Sequence, residues 1–110
     1  MTVNNVVENL QLTVLAGKSG LNNQVTGGYT SDLLSDVMGN ITDKFIWITL
    51  QTHKKVMAIA SLREVSAVII VHGLLPDNET VDKANEEGIP ILSTKLSAFD
   101  ISGKLFNLLN

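Results

Sequence analysis

Val68, Ile69, Ile70 and Val71 form an unbroken apolar run with no polar side to offer to water. A strand turns successive side chains to opposite faces, so this run needs cover on both. Parallel sheets sandwiched between helices supply that cover. Other apolar runs of four to six residues alternate with helical periods along the chain, the pattern of a βαβ protein. The expected architecture is α/β: three layers, with a mainly parallel four- to five-stranded sheet flanked by helices. Residues 1–110 are expected to make one domain, long enough to bury a single core without staples.

Val3, Val6, Val7 and Leu10 share one face of a short helix over residues 3–10, with Thr2 as its N-cap. Residues 12–15 are a first strand, stopped by Gly17 and Gly20, and residues 24–26 a second. A helix over residues 31–38 buries Leu33, Leu34, Val37 and Met38, and Gly39 takes the left-handed C-terminal position. Residues 45–50, rich in aromatic and β-branched side chains, are the clearest strand. A helix over 54–63, the strand 68–71, a polar helix from Pro76-Asp77 through Glu87 and a short strand at 91–92 follow. Gly88 and Pro90 end the polar helix. Ser97 and Asp100 resemble a capping box for a last helix, whose apolar side is Phe99, Leu105, Phe106, Leu108 and Leu109.

The chain is 45% hydrophobic and carries a net charge of −3, with acids and bases interspersed. The apolar excess points to a homodimer. The absence of a basic stripe argues against nucleic acid. No apolar run is long enough for a bilayer, and no basic, apolar leader opens the chain, so a cytoplasmic protein without a membrane partner is expected. With no cysteine, thiolate zinc sites, iron–sulfur clusters and cysteine nucleophiles are excluded. The two histidines show no metal-ligand spacing and no triad signature, so neither a metal, a cofactor nor a catalytic set is expected.

Gly17-Lys18-Ser19 has the tail of a phosphate-binding loop, but Leu12 stands where that loop needs another glycine. Gly27 and Gly28, followed by Thr30, Ser31 and Asp32, read in two ways. They form either an anion- or ribose-contacting corner at a helix start, or a tight turn with an ordinary cap. Thr49, Gln51, Thr52 and His53 gather at the carboxyl end of the clearest strand, where open α/β sheets hold ligands. The competing reading is that Thr52 caps the next helix and His53 sits in its exposed first turn. Ser93, Thr94 and Lys95 follow the last strand on the same edge. The nearly all-apolar helix at 55–62 needs a second covering surface, either a symmetry mate or the terminal helix. The expected ligand-binding residues are Gly27, Gly28, Asp32, Thr49, Gln51, Thr52, His53, Ser93 and Thr94.

Three segments together resemble the DRTGG domain family: residues 25–38, beginning Val25-Thr26-Gly27-Gly28-Tyr29; residues 47–62, with Trp47-Ile48-Thr49-Leu50-Gln51-Thr52-His53; and residues 88–94. Gln24 and Val25 replace the Asp and Arg of the family's name, and Lys55 stands where Asn is expected. The family resemblance implies a non-catalytic regulatory or accessory module, similar to the amino-terminal domain of HPr kinase/phosphorylase. Family relatives lie between paired CBS domains in certain inorganic pyrophosphatases. It further implies a homodimer that senses a small molecule, such as a nucleotide, or docks on a partner enzyme. A pure assembly factor without ligand is the alternative, and a phosphotransferase the remote one.

Overall fold

The structure, a computed structural model, describes residues 1–110. In chain order the elements are α1 (Val3–Leu10), β1 (Thr13–Ala16), a 3-10 turn (Lys18–Gly20), β2 (Gly27–Thr30), α2 (Leu34–Asn40), β3 (Phe45–Thr49), α3 (Lys55–Leu62), β4 (Ala67–Ile70), α4 (Asn78–Glu87), β5 (Ile91–Ser93) and α5 (Ala98–Leu109). They build one five-stranded sheet in the order β1-β5-β4-β3-β2. Strands β2 to β5 run parallel, and only β1 is antiparallel, against β5. The fold is the three-layer, mainly parallel α/β arrangement that the apolar runs require.

The sheet separates two cores. On one face Trp47, Val68, Ile70 and Ile91 meet Val37 and Ile41 at α2, Val56, Met57 and Ala60 of α3, and Ala84 of α4. On the other, Ile46, Ile48, Ile69 and Leu92 meet Val3 and Val6 of α1 and Ile101 and Leu105 of α5. Adjacent residues of β3 thus enter opposite cores, as strand alternation demands. Helix α3 lies between α2 and α4, so these two helices flank it, and the expected cover by the terminal helix is corrected, since α5 packs on the opposite face of the sheet. Only Ala58 and Leu62 of its apolar residues remain outward.

Local chemistry explains the helix starts. Thr2 Oγ1 accepts the Asn5 N–H at 3.2 Å while Asn5 Oδ1 accepts the Thr2 N–H at 2.9 Å, a reciprocal box with Asn in the usual place of Glu. Ser97 Oγ accepts the Asp100 N–H at 3.1 Å and opens α5. Gly88 closes α4 in the left-handed region at φ 66°.

Several sequence expectations are corrected. The second strand is residues 27–30 instead of 24–26, where only an isolated Thr2–Gln24 bridge forms. Helix α2 starts at Leu34, leaving Leu33 64% exposed, and Gly39 stays inside it without a positive φ. Lys54, not Thr52, is the residue at the start of α3, and it makes no side-chain cap. On α5, Phe99 and Phe106 are 87% and 67% exposed, while Ile101 and Leu105 carry the buried face.

Gly17 sits at φ 71°, and a Cβ there would collide with the backbone of Ile89 and Pro90. The glycine therefore lets the turn after β1 lie against the strand leading into β5. Gly39, by contrast, has nothing within 4 Å of the Cβ position. Gly17→Ala is expected to destabilise the fold by at least ~2 kcal/mol, from backbone strain plus the collision. Gly39→Ala should stabilise it by ~0.5–1 kcal/mol through helix propensity. Urea unfolding of both variants checks the contrast in sign.

Candidate functional site

Because β2 to β5 are parallel, their carboxyl ends share one rim. Asp32, just beyond β2, reaches across to β3: its Oδ1 accepts the Thr49 hydroxyl at 2.8 Å and the Leu50 N–H at 2.7 Å. Gln51 Nε2 donates to the Asp32 carbonyl at 2.8 Å. Trp47 Nε1 donates to the Ser31 carbonyl at 2.8 Å from within the core. The Thr52 carbonyl accepts the Asp77 N–H at 3.1 Å and the buried Thr80 hydroxyl at 2.9 Å, tying the rim to α4. His53 is exposed beside these residues. Asp32, Thr49 and Gln51 are thus brought together and spend much of their hydrogen-bonding capacity on one another, while the neighbouring Thr52 spends its carbonyl on Asp77 and Thr80.

Ser93 and Thr94 lie on the same rim at the end of β5, two strands away from β3. Gly27 and Gly28 do not join the rim. They open β2 instead of forming a turn before a helix, and Gly27 pairs with Phe45 at the amino end of β3. Thr49 lies four residues further along β3, about 13 Å away at ~3.3 Å per residue. No single pocket uses both the glycine pair and the Thr49–His53 corner. Their lack of a Cβ serves packing: one at Gly27 would come within 2.6 Å of the Phe45 ring, and one at Gly28 within 2.8 Å of Leu105 Cδ2.

The rim's open groove is at the β5 end. It measures about 720 Å³ and runs between the end of α1, the start of β1, Ser93, Thr94 and α5. Lys95 and Lys104 line it, and no acidic residue does. The ion pairs of the chain, Lys54–Glu79 and Lys83–Glu86, leave both of these lysines unpaired. Beside the groove, His72 and Gly73 take consecutive left-handed conformations at φ 59° and 68°. Their N–H groups donate to the Leu96 and Thr94 carbonyls, fixing the strand exits against each other. The sequence reading placed Lys95 on this edge beside Ser93 and Thr94 but missed Lys104, because the antiparallel β1 and the packing of α5 create this groove. Only the Ser93-Thr94-Lys95 sequence hinted at it.

A second polar cluster joins β2 to α2. The Tyr29 hydroxyl donates to the Asp36 carboxylate, 2.9 Å from each oxygen. The Ser31 hydroxyl, then that of Tyr29, and Asn40 hold the Asp36 carboxyl below its usual 3.8, against a weaker opposing desolvation. The same hydrogen bond to Asp36, with burial and the carboxylate's charge adding to it, pushes the Tyr29 hydroxyl above its usual 10.0.

No group of three or more His, Cys, Asp or Glu side chains is placed to hold a metal ion, and no helix is long and apolar enough to cross a membrane. The sheet order, helix layers and strand ends define a three-layer α/β module. The DRTGG domain model matches residues 5–108, and the chain belongs to that family. Among solved structures, the chain resembles the CBS and DRTGG domains of the regulatory region of Clostridium perfringens pyrophosphatase, complexed with its activator diadenosine tetraphosphate. The identity is 15% and the TM-score 0.66, over 94% of this chain and 45% of that one. This chain therefore spans less than half the length of that structure. Among curated proteins, none matches the sequence.

Two outcomes test the rim and its neighbour. Asp32→Ala leaves the buried Thr49 hydroxyl and the Leu50 N–H without their acceptor. It should cost ~1–3 kcal/mol in urea unfolding, while Asp32→Asn, which keeps an oxygen, should cost less than half as much. The single tyrosine also permits a direct absorbance titration. Its midpoint in the folded chain should lie above 10.0, with stability lost as pH rises through that midpoint. Asp36 stabilises the fold above pH ~4, and this contribution fades as pH falls through its lowered pKa. Tyr29→Phe should flatten the acid limb of the stability profile.

Proposed function

We propose that this chain is a regulatory module without catalytic activity of its own, which forms a homodimer, binds a phosphate-bearing small molecule and acts on a partner enzyme. The observation that carries this reading is the DRTGG match across residues 5–108, combined with the fold shared with a pyrophosphatase's activator-binding regulatory region. The groove at the end of β5 supports the ligand class. Lys95 and Lys104 supply positive charge in a net-negative chain, and Ser93 and Thr94 supply hydroxyls. A volume of about 720 Å³ is within the range of small-molecule sites. On this reading Asp32, Thr49, Gln51 and Thr52 brace the rim, and His53 borders it.

The reading of a module without catalysis rests on the DRTGG match and on a groove whose lining includes no His, Asp or Glu to serve as a general base. A second reading, an assembly factor without any ligand, is favoured by the exposure of Phe99 and Phe106. Thermal unfolding separates the two. A nucleotide probe such as ATP or diadenosine tetraphosphate, present at ~100 times its Kd, adds ~2.7 kcal/mol of stability and raises the Tm by several degrees. Lys104→Ala combined with Lys95→Ala should abolish that rise without altering the Tm of the free protein. No rise with nucleotides or inorganic phosphate would contradict ligand sensing and leave the assembly reading.

A further inference from the structure

Strand β2 is the last in the sheet, and its outer side has no strand beside it. The Ser31 N–H donates to Ile48 O at 3.2 Å, and Tyr29 stands opposite Trp47 in the register. The Phe45 and Thr49 carbonyls accept from Ser66 and Val71 on the β4 side, which leaves Ile46 and Ile48 to face β2. Gly27 and Tyr29 therefore turn their N–H and C=O groups toward β3, and alternation turns those of Gly28 and Thr30 outward. Both of these residues are exposed. Open edges are usually guarded by charge, proline, a bulge or a covering element. Residues 27–30 carry neither a charge nor a proline, and they pair with β3 without a bulge.

Along this edge, on the side of the sheet that carries α5, lies a groove of about 620 Å³. All three phenylalanines of the chain line it, and no lining residue has a charged side chain. Phe99 and Phe106 are two helical turns apart and 87% and 67% exposed, and Gly103 lies between them. Gly103 sits midway along the 12-residue α5, where glycine is the least favourable residue after proline. No side chain and no neighbouring element lies within 4 Å of the position its Cβ would take, so internal packing does not call for a glycine there. The missing side chain leaves a notch between the two rings.

From these features we infer that β2 is completed from outside by an extended segment of a partner protein, which adds a strand to the sheet and sets a large apolar side chain into the notch over Gly103. The inference rests on the partner-docking part of the reading above and adds how that partner is recognised. Main chain selects main chain: Gly28 and Thr30 each point an N–H and a C=O outward, and an extended strand presents matching groups at the same repeat. Every second side chain of the added strand then faces α5. The phenylalanine-lined groove admits these side chains when they are apolar. It rejects charged ones, which lose water there without gaining a partner. A second copy of this chain fits less well by the same measure. On the α5 side its own β2 offers only Thr26, Gly28 and Thr30, too short to fill the space between the rings.

The test titrates the full chain with an end-blocked peptide of alternating leucine and threonine, followed by amide NMR and hydrogen exchange. A control peptide of the same sequence carries N-methyl groups on the amides that face β2. The first peptide should shift the Gly28 and Thr30 amides and slow their exchange, leaving Gly73, Ser93 and Thr94 unmoved. N-methylation should weaken binding at least ~10-fold, because each blocked amide removes a hydrogen bond. Gly103→Leu, at an open position and with a better helix former, should keep or raise the Tm of the free chain while weakening the peptide at least ~10-fold. Equal binding of the two peptides, or equal binding by wild type and Gly103→Leu, overturns the strand addition. If the Gly28 and Thr30 amides are already protected without peptide and lose that protection on dilution, a second copy fills the edge and the inference falls. A peptide bound at other amides overturns the strand addition but keeps partner docking, whereas one bound nowhere at millimolar concentration counts against both. The nucleotide-induced rise in Tm remains a separate readout of the ligand reading.

Discussion

With Ile46 and Ile48 turned into one core and Trp47 into the other, β3 has no face to give to water, and β4 repeats the pattern beside it. Both faces of the sheet must therefore be covered, which requires the chain to cross over with a helix between consecutive parallel strands. Helices α2, α3 and α4 fill one layer; α1 and α5 fill the other. Apolar burial supplies the driving force, and the polar backbone of the inner strands β3, β4 and β5 is satisfied within the ladder. The ends of the parallel strands are left as the places where backbone and side-chain polarity reach the surface.

Those ends divide the labour of the molecule. At the carboxyl rim, Asp32 holds the exit of β3 through Thr49 and Leu50, and Thr52 holds the start of α4 through Asp77 and Thr80. Such internally satisfied groups give a stiff frame. The groove beside Ser93 and Thr94 differs, because Lys95 and Lys104 have no internal partner to neutralise them. At the far side of the sheet, the glycine strand and the two exposed phenylalanines form an apolar, uncharged edge. The polar groove and the apolar edge thus lie at separate places on the molecule.

Elements whose signals are local were legible in the sequence. The apolar run around Val68–Val71 disclosed the two-sided sheet. Thr2 and Ser97 announced their helices through side-chain oxygens three residues from the N–H they cap. Gly88 marked the end of α4 because its left-handed backbone suits glycine. The Gly27-Gly28 pair misled because paired glycines serve both turns and close packing; only the positions of Phe45 and Leu105 decide between them. Phe99 and Phe106 read as core residues by their period, yet Ile101 and Leu105 take the buried stripe of the same helix. Lys95 was legible as part of the edge beside Ser93 and Thr94, but the groove it shares with Lys104 was not, since the antiparallel placement of β1 against β5 is a matter of tertiary pairing.

Amide chemical shifts followed by NMR during titration with diadenosine tetraphosphate or ATP test the division between groove and edge most directly. Perturbations should concentrate at Gly73, Ser93, Thr94 and Lys95, with a weaker set at Gln11 and Thr13, and leave residues 27–30 unmoved. Perturbations centred on Gly27 and Gly28, or a spectrum unchanged at saturating nucleotide, would contradict it.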